Sequence, residues 1–185
     1  MAELLRTDRL LVRDWSVGDA EEALKIYGNQ EAARWVVAHD LRRIPDLADM
    51  RTVLQSWVAE QADMVAGTGR WAMALLESGA LIGGITLLPM PVPEADVEIG
   101  YRLAPEHWGR GYATEAARAL ARWAFQRSLV EVFALVTPNN VRAVATARRI
   151  GMEWVGESDK YHGVQLEVYR LRPDDLASAG ESLTH

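Results

Sequence analysis

The spacing of apolar residues divides the chain into segments with the two-residue period of strands and segments with the 3.6-residue period of helices. Residues 4–14 alternate between apolar and polar positions and predict a strand. Ser16 and Asp19 have the spacing of a capping box and predict a helix that ends at Gly28. A second apolar stripe predicts a helix over residues 46–59.

The second half of the chain predicts a β-hairpin, followed by strands that alternate with helices. Ser78-Gly79-Ala80 separates two strand-like runs and therefore predicts the hairpin turn. Gly151 predicts the end of the last helix. In chain order, the predicted segments are strands 70–77, 81–88 and 96–103, helix 114–126, strand 131–136, helix 140–150, and strands around Trp154 and over 167–171.

This order of segments predicts a single domain of the mixed α/β class over residues 1–172. Residues 173–185 are polar and rich in small side chains, so we expect a frayed C-terminal tail. With 185 residues, the chain is long enough for one domain with an ordinary hydrophobic core.

The composition excludes several classes of protein. Hydrophobic residues make up 49% of the chain and charged residues 25%, which is typical of a globular protein. The sequence has no cysteine, so disulfides, thiolate metal sites and a cysteine nucleophile are excluded. The net charge of −6 argues against nucleic acid as a partner and is compatible with an amine-bearing partner. The four histidines lack metal-site spacing, so we expect no metal.

No segment predicts a targeting signal or a membrane span. The opening residues, MAELLRTDRLL, carry charges within the apolar run, unlike a signal peptide. The most apolar stretch, residues 80–92, contains two glycines and two prolines and is too short to cross a bilayer. We therefore expect a cytoplasmic protein with no membrane partner.

The most informative stretch is HWGRGYATEA, residues 107–116, between a predicted strand and an alanine-rich helix. Glycines on both sides of Arg110 allow a tight turn and a close approach of the backbone to a ligand. The free N–H groups of the first helical turn and the helix dipole favour a phosphate or pyrophosphate. The stretch lacks the patterns of a P-loop and of a dinucleotide-binding loop. A tight turn without a ligand is the alternative that the local pattern leaves open.

Residues 98–125, EIGYRLAPEHWGRGYATEAARALARWAF, closely resemble the cofactor motif of the GNAT superfamily of acetyl-CoA-dependent N-acetyltransferases. The segment LLRTDRLLVRDWSVGDAEEA is similar to the opening strand and helix of the branch that acetylates the N-termini of ribosomal proteins. The segment TPNNVRAVATARRIGMEWVGE is similar to that branch's asparagine-containing helix and the strand after it. Together the three segments span most of residues 4–172.

The resemblance implies a GNAT-like fold, with a central, mostly antiparallel twisted sheet, two splayed parallel strands and about four flanking helices. It also implies direct transfer of an acetyl group from acetyl-CoA, the co-substrate, to a primary amine. The alternative function is a catalytically silent module that senses acyl-CoA. The use of another acyl-CoA and the oligomeric state, including a homodimer, stay open.

The resemblance further implies roles for individual residues. Backbone groups of Tyr101 and Leu103 would bind the pantetheine arm in the gap between the splayed strands. Asn140 matches an asparagine that contacts the pantetheine side. The pyrophosphate would be held by the backbone N–H groups of Gly109, Arg110, Gly111, Tyr112, Ala113 and Thr114.

Glu98 is the candidate catalytic base. An amine must lose a proton when it attacks a thioester, and a carboxyl group in a partly buried strand has a pKa raised toward a useful value. The resemblance also places a carboxylate that acts as a base or orders water at this strand. The alternative is a carboxylate on the solvated side of an edge strand.

The chain departs from the family at three positions. Trp108 stands where the wider family has Gln or Arg, although aromatic residues are common there in the resembling branch. Ala147 replaces a tyrosine that protonates the leaving thiolate in many members, and Ala143 replaces a serine of the closest branch. The general acid is therefore not identified. Water could supply the proton, or the thiolate could leave unassisted, since an ordinary thiol has a pKa near 8.5.

Three large side chains are candidates for the acceptor site. Trp35, His39 and Trp71 belong to the region where the resembling family builds its acceptor pocket. Their alternative role is packing, since tryptophans at such positions usually belong to the core. An α-amine has a pKa near 8 against about 10.4 for lysine, so more of it is neutral at pH 7. We therefore expect a protein N-terminus or a small-molecule α-amine as the acceptor.

Overall fold

A computed structural model describes residues 2–35, 44–90, 96–161 and 163–176. Its centre is one eight-stranded sheet with the strand order β1-β2-β3-β4-β5-β6-β8-β7. The pairing of β5 with β6 is parallel, and the other six pairs of neighbours are antiparallel. The strands are β1 (Glu3–Arg6), β2 (Leu10–Asp14), β3 (Gly69–Leu75), β4 (Leu81–Pro89), β5 (Val97–Leu103), β6 (Val132–Val136), β7 (Glu153–Ser158) and β8 (Leu166–Leu171).

Helices cover both faces of this sheet. In chain order they are α1 (Ala20–Tyr27), the short α2 (Gln30–Ala33), α3 (Leu47–Gln61), α4 (Tyr112–Phe125) and α5 (Val141–Ile150). Helices α4 and α5 pack with β5 and β6 in the larger core cluster. Helices α1 and α3 form a second cluster, which includes Trp15, Tyr27 and Trp57. Because successive strand residues point to opposite faces, Trp71 belongs to the first cluster and Ala72 to the second.

The alanine content of α4 explains how closely this helix lies on the sheet. One face of the helix is buried at Ala116, Ala117, Leu120, Ala121 and Ala124. Small side chains allow the helix axis to approach the strands, and alanine has the highest intrinsic helix propensity. This packing fixes the position of the first turn of α4, where the glycine-rich loop ends.

The predicted mixed α/β class and the mostly antiparallel sheet with one parallel pair are confirmed. The single strand predicted over residues 4–14 is wrong, because β1 and β2 form a hairpin there. Thr7 closes its turn: the Thr7 N–H donates to the Leu10 carbonyl at 2.9 Å, and the Leu10 N–H donates to the Thr7 hydroxyl at 2.9 Å.

Regular structure continues past residue 172, where the sequence predicts a tail. Residues 173–176 are helical, and Leu176 is 4% exposed within the larger core cluster. The apolar side chain of Leu176 anchors this turn, so ordered structure continues into the predicted tail. The remaining tail positions lie outside the described residues. No helix in the described ranges is long and apolar enough to cross a membrane.

Candidate active site

The two parallel strands separate from each other at the centre of the sheet. Strand β4 pairs with every residue of β5, from Val97 to Leu103. On the other side of β5, the described residues of β5 and β6 pair at a single position, Glu98 with Phe133. Beyond this pair, the edge of β5 that faces β6 is left open as a gap between the strands.

Backbone groups of β5 face this gap at alternate residues. The Ala104 N–H donates to the Ile82 carbonyl at 3.0 Å, which directs the polar backbone groups of Gly100, Arg102 and Ala104 toward β4. The intervening residues, Tyr101 and Leu103, therefore direct their N–H and C=O groups toward the gap. These are the two residues whose backbone groups the family resemblance implies as contacts of the pantetheine arm.

The Leu103 carbonyl, however, already has a partner. The indole Nε1 of Trp108 donates to it at 2.9 Å. The same indole ring lies 4.4 Å from the guanidinium carbon of Arg142, a residue of α5. Trp108 therefore connects the end of β5 to the start of α5. The backbone N–H and C=O of Tyr101 and the N–H of Leu103 remain the candidates for contacts with a ligand in the gap.

Glu98 lies at the point where the strands separate. The Leu135 N–H of β6 donates to its carboxylate, so the side chain bridges the two strands just beyond their shared pair. Burial raises the pKa of the Glu98 carboxyl group to about 7, against the lowering effect of this hydrogen bond. β5 is an interior strand of the sheet, so the edge-strand alternative for Glu98 is wrong. A carboxyl group with this pKa can accept a proton near neutral pH.

The Tyr101 side chain points to the opposite face of the sheet from Glu98, because the two positions differ by an odd number along the strand. Its hydroxyl group is hydrogen-bonded to Thr146 of α5. Burial raises the pKa of this phenol to about 12, so it stays protonated at neutral pH.

The glycine-rich loop leads directly into α4. Gly109 and Gly111 have φ angles of 75° and 80°, in the left-handed region that favours glycine. Residues 109–111 are exposed, and an added Cβ at Gly109 would meet nothing within 4 Å. Gly111 is the N-cap of α4 and supplies no side-chain cap. The first N–H groups of the helix therefore remain available for an anion at an accessible site.

Tyr112, Ala113 and Thr114 form the first turn of α4, two residues earlier than the predicted helix start at residue 114. Asn140 is the N-cap of α5, where its Oδ1 accepts from the Ala143 N–H at 3.2 Å. The side-chain amide NH2 of Asn140 is the part of this residue that could contact a ligand.

The three acceptor candidates have different surroundings. The Trp35 carbonyl accepts from the Thr137 hydroxyl at 3.1 Å, which brings this residue to the end of β6. His39 lies outside the described residues. Trp71 is 2% exposed and packs edge-to-face on Trp123 of α4, with ring centroids 5.7 Å apart. Trp71 is therefore a core residue on the face away from Glu98, and its predicted role in acceptor binding is wrong.

Two arginines beside this site make contacts that the sequence does not indicate. Arg9, in the turn between β1 and β2, donates to the Arg110 carbonyl at 3.0 Å. Arg142 contacts Trp108 and pairs with Glu31 at 3.3 Å. Isolated arginines carry no local signal of their partner, since Arg9 and Arg110 are 101 positions apart and Arg142 and Glu31 are 111 positions apart.

The described residues contain no group of three or more His, Asp or Glu side chains that could hold a metal ion. What they bring together is an accessible anion-binding loop, an open edge of backbone and a carboxyl group that titrates near pH 7. This combination suits transfer of a group from a phosphate-containing donor to an acceptor that must lose a proton.

Comparison with known proteins gives consistent matches. A family model described as an acetyltransferase (GNAT) domain matches residues 9–153. Bacillus subtilis YkkB is 36% identical over 90 residues, which are 48% of this chain and 52% of YkkB. An uncharacterized N-acetyltransferase of the same organism, YoaA, is 25% identical over 87% of this chain and 89% of its own length. The chain thus spans about half the length of YkkB and most of YoaA.

Solved structures share the fold over nearly the whole chain. A crystal structure of an acetyltransferase from Agrobacterium tumefaciens str. C58 is 30% identical and superposes with a TM-score of 0.71. The superposition covers 91% of this chain and 93% of that protein.

Proposed function

The chain belongs to the GNAT family of acetyltransferases, and from this premise we propose that it transfers an acetyl group from acetyl-CoA directly to a protein N-terminus or a small-molecule α-amine. The observation that carries this proposal is Glu98, whose carboxyl group has a pKa of about 7 at the point where β5 and β6 separate. A base with this pKa is suited to an amine acceptor at neutral pH.

The residues present fit acetyl-CoA. The loop N–H groups of Gly109, Arg110, Gly111, Tyr112, Ala113 and Thr114 would hold the pyrophosphate, since they are accessible and belong to the start of a helix. The open backbone groups of Tyr101 would pair with the amides of the pantetheine arm, and Asn140 would contact the same arm. When bound, the coenzyme supplies an acetyl thioester as the activated acyl group.

In the proposed step, the acceptor nitrogen attacks the thioester carbonyl carbon while Glu98 accepts a proton from that nitrogen. A nitrogen–carbon bond forms, the carbon–sulfur bond breaks, and the sulfur leaves as a thiolate. The Leu135 N–H holds the Glu98 carboxylate in the gap, so this base is oriented before the acceptor arrives. A backbone N–H of β5 facing the gap, such as that of Tyr101, would stabilise the negative charge on the carbonyl oxygen.

The leaving thiolate needs no acid from α5 in this proposal. Ala147 and Ala143 have no proton to donate. A thiol with a pKa near 8.5 is a good leaving group at neutral pH, and water can protonate it after departure.

The proposed class of acceptor is supported by the net charge of the chain and by the acidity of the acceptor amine. The chain carries a net charge of −6, which favours a cationic partner over an anionic one. An α-amine loses its proton more readily than a lysine side chain, so a base with a pKa near 7 is better matched to it.

A panel of amines tests the proposal. The protein is mixed with acetyl-CoA and peptides or small molecules that carry a free α-amine, and free thiol is measured together with the mass of the product. We expect thiol release that requires an amine and equals the amount of acetylated product. CoA binding without turnover of any amine would instead support the silent sensor, which the N-acetyltransferase names of relatives do not favour.

A further inference from the structure

The first turn of α4 contains a carboxylate, Glu115, that contacts the turn between β1 and β2. Its Oε1 accepts from the Thr7 hydroxyl at 2.5 Å and from the Arg9 N–H at 3.0 Å. Its Oε2 accepts from the Arg9 Nε at 2.7 Å, and the Arg9 Nη2 lies 2.6 Å away. Both oxygens are therefore bound by one distant turn.

The Arg9 side chain also reaches the loop that precedes α4. Its Nη1 donates to the Arg110 carbonyl at 3.0 Å, and its guanidinium carbon lies 4.6 Å from the centre of the Tyr112 ring. A Cβ added to Gly111 would lie 3.5 Å from the Arg9 Nη2. One guanidinium group thus contacts Arg110 and Tyr112, on both sides of Gly111.

The contact with the Arg110 carbonyl controls the direction of a loop N–H group. In a trans peptide unit, the C=O and the following N–H point in opposite directions, and none of the described peptide bonds is cis. Because Arg9 holds the Arg110 carbonyl, the Gly111 N–H points away from Arg9. Gly111 has no side chain to limit its rotation, so an external contact is needed to keep this N–H in place.

Arg9 also offsets the charge of Glu115. A carboxylate in the first turn of α4 opposes the binding of an anion at the same helix end, although it interacts favourably with the helix dipole. The Glu115 side chain is 19% exposed, and the Arg9 side chain is 48% exposed. The pair leaves the helix end nearly neutral in net side-chain charge, so the N–H groups can attract a pyrophosphate.

We propose that Arg9 is a positioning residue for coenzyme binding: it sets the direction of the Gly111 N–H group and cancels the charge of Glu115. The inference rests on the proposed function, because the ligand of the loop is taken to be the pyrophosphate of CoA. It assigns to the β1–β2 turn a role in affinity for the coenzyme and none in the chemical step.

Arg9→Gln tests the inference, with Arg6→Gln as the matched control. Arg6 belongs to the same hairpin, and its described ion pair is with Glu3, three residues away. CoA affinity is measured by calorimetry, and kcat and KM for acetyl-CoA are measured in parallel. We expect Arg9→Gln to weaken CoA binding and raise KM at least tenfold, with kcat within about twofold, because the base and the strand edge are untouched. Arg6→Gln should behave as the wild type.

A double variant separates the charge effect from the loop geometry. Arg9→Gln/Glu115→Gln removes both charges and should bind CoA more tightly than Arg9→Gln alone. Equal or weaker binding by the double variant would refute the charge contribution. Arg9→Lys keeps one positive charge but cannot bridge Glu115 and the Arg110 carbonyl, so its affinity should fall between those of the wild type and Arg9→Gln. This conservative variant also carries the test if Arg9→Gln does not fold.

Amide hydrogen exchange in the free protein gives a readout that needs no coenzyme. Exchange at residues 110–113 should be faster in Arg9→Gln than in the wild type and unchanged in Arg6→Gln. If the wild type binds CoA and Arg9→Gln has unchanged CoA affinity and unchanged amide exchange, the role of Arg9 is overturned. The proposed function then stands. A wild type that does not bind CoA would overturn the proposed function, and the exchange data would still decide whether Arg9 holds the loop.

Discussion

Glu98 combines a charge-bearing side chain with surroundings that disfavour its charge. Its carboxyl group is held between two strands, accepts one backbone hydrogen bond from Leu135, and has a pKa raised by burial to about 7. A base for amine acetylation needs this property, since a carboxyl group with an ordinary pKa is too weak a base for an amine. The same property should reduce the stability of the folded protein at high pH.

The sign of this effect follows from proton binding. The Glu98 carboxyl group has a pKa of about 7 when folded and a reference value of 4.5. Between these values, the folded state holds more protons than the unfolded state, so the free energy of unfolding falls as the pH rises. Glu98→Gln keeps an oxygen that can accept from Leu135 and has no charge to bury. We expect it to be more stable than the wild type at pH 8 by up to about 3 kcal/mol, and nearly equal to it below pH 5.

Urea denaturation at pH 5 and pH 8 measures this difference. Glu157→Gln, at an exposed position of β7, is the control and should show no such pH-dependent gain. The same stability difference between Glu98→Gln and the wild type at both pH values would show that Glu98 does not carry a raised pKa.

The glycine-rich loop and α4 form one unit, and the anion site that we propose there depends on the backbone conformation of the loop. Gly111 has a φ of 80°, and the nearest atom to an added Cβ is the Arg9 Nη2 at 3.5 Å. The position therefore needs glycine for its conformation, and a side chain there would lie against the arginine that holds the loop.

Gly111→Val should abolish CoA binding while the protein stays folded. The valine side chain strains the left-handed backbone and presses on the Arg9 guanidinium group, which holds the loop. Gly79→Val is the matched control, because Gly79 has a φ of 71° in the turn between β3 and β4 and nothing within 4 Å of an added Cβ. Circular dichroism and calorimetry with CoA compare the two variants. Equal loss of CoA affinity in both, or none in Gly111→Val, would contradict the assignment of the loop.

The features that could be predicted from the sequence are those determined by residues close together along the chain. The Gly–Arg–Gly turn and the alanine face of α4 are encoded within a few consecutive residues, and the predicted helix start differs from the observed one by two positions. The break between β1 and β2 was missed because the alternation of apolar and polar residues continues through a turn that Thr7 closes. The contact of Arg9 with Glu115 spans 106 positions and leaves no periodic signal. Trp71 was misassigned because composition does not say which face of a strand a tryptophan occupies.

The central sheet separates the side of the proposed coenzyme site from the side of the proposed acceptor site. Helices α4 and α5 cover the face beside the loop, while Glu98 points to the face covered by α1 and α3. We infer that the coenzyme enters from the loop side and that the acceptor approaches from the side of Glu98 and Trp35. The gap between β5 and β6 connects the two sides.

The net charge of −6 and the pKa of the base together favour an α-amine as the acceptor. We expect peptides with a free N-terminus to be acetylated faster than peptides whose N-terminus is blocked and whose one lysine is free. Mass spectrometry of both peptides, each carrying one lysine, locates the added acetyl group. Acetylation of the blocked peptide at an equal or greater rate would refute this preference.

In the proposed reaction, Glu98 accepts the proton of the attacking amine. The most direct test of this step is kcat for Glu98→Gln at saturating acetyl-CoA, measured with CoA affinity by calorimetry. We expect kcat to fall by roughly 10²–10⁴-fold, the usual range for loss of a general base, and CoA affinity to change less than about twofold. Turnover close to that of the wild type would contradict this role of Glu98 and assign the proton to water or to another residue.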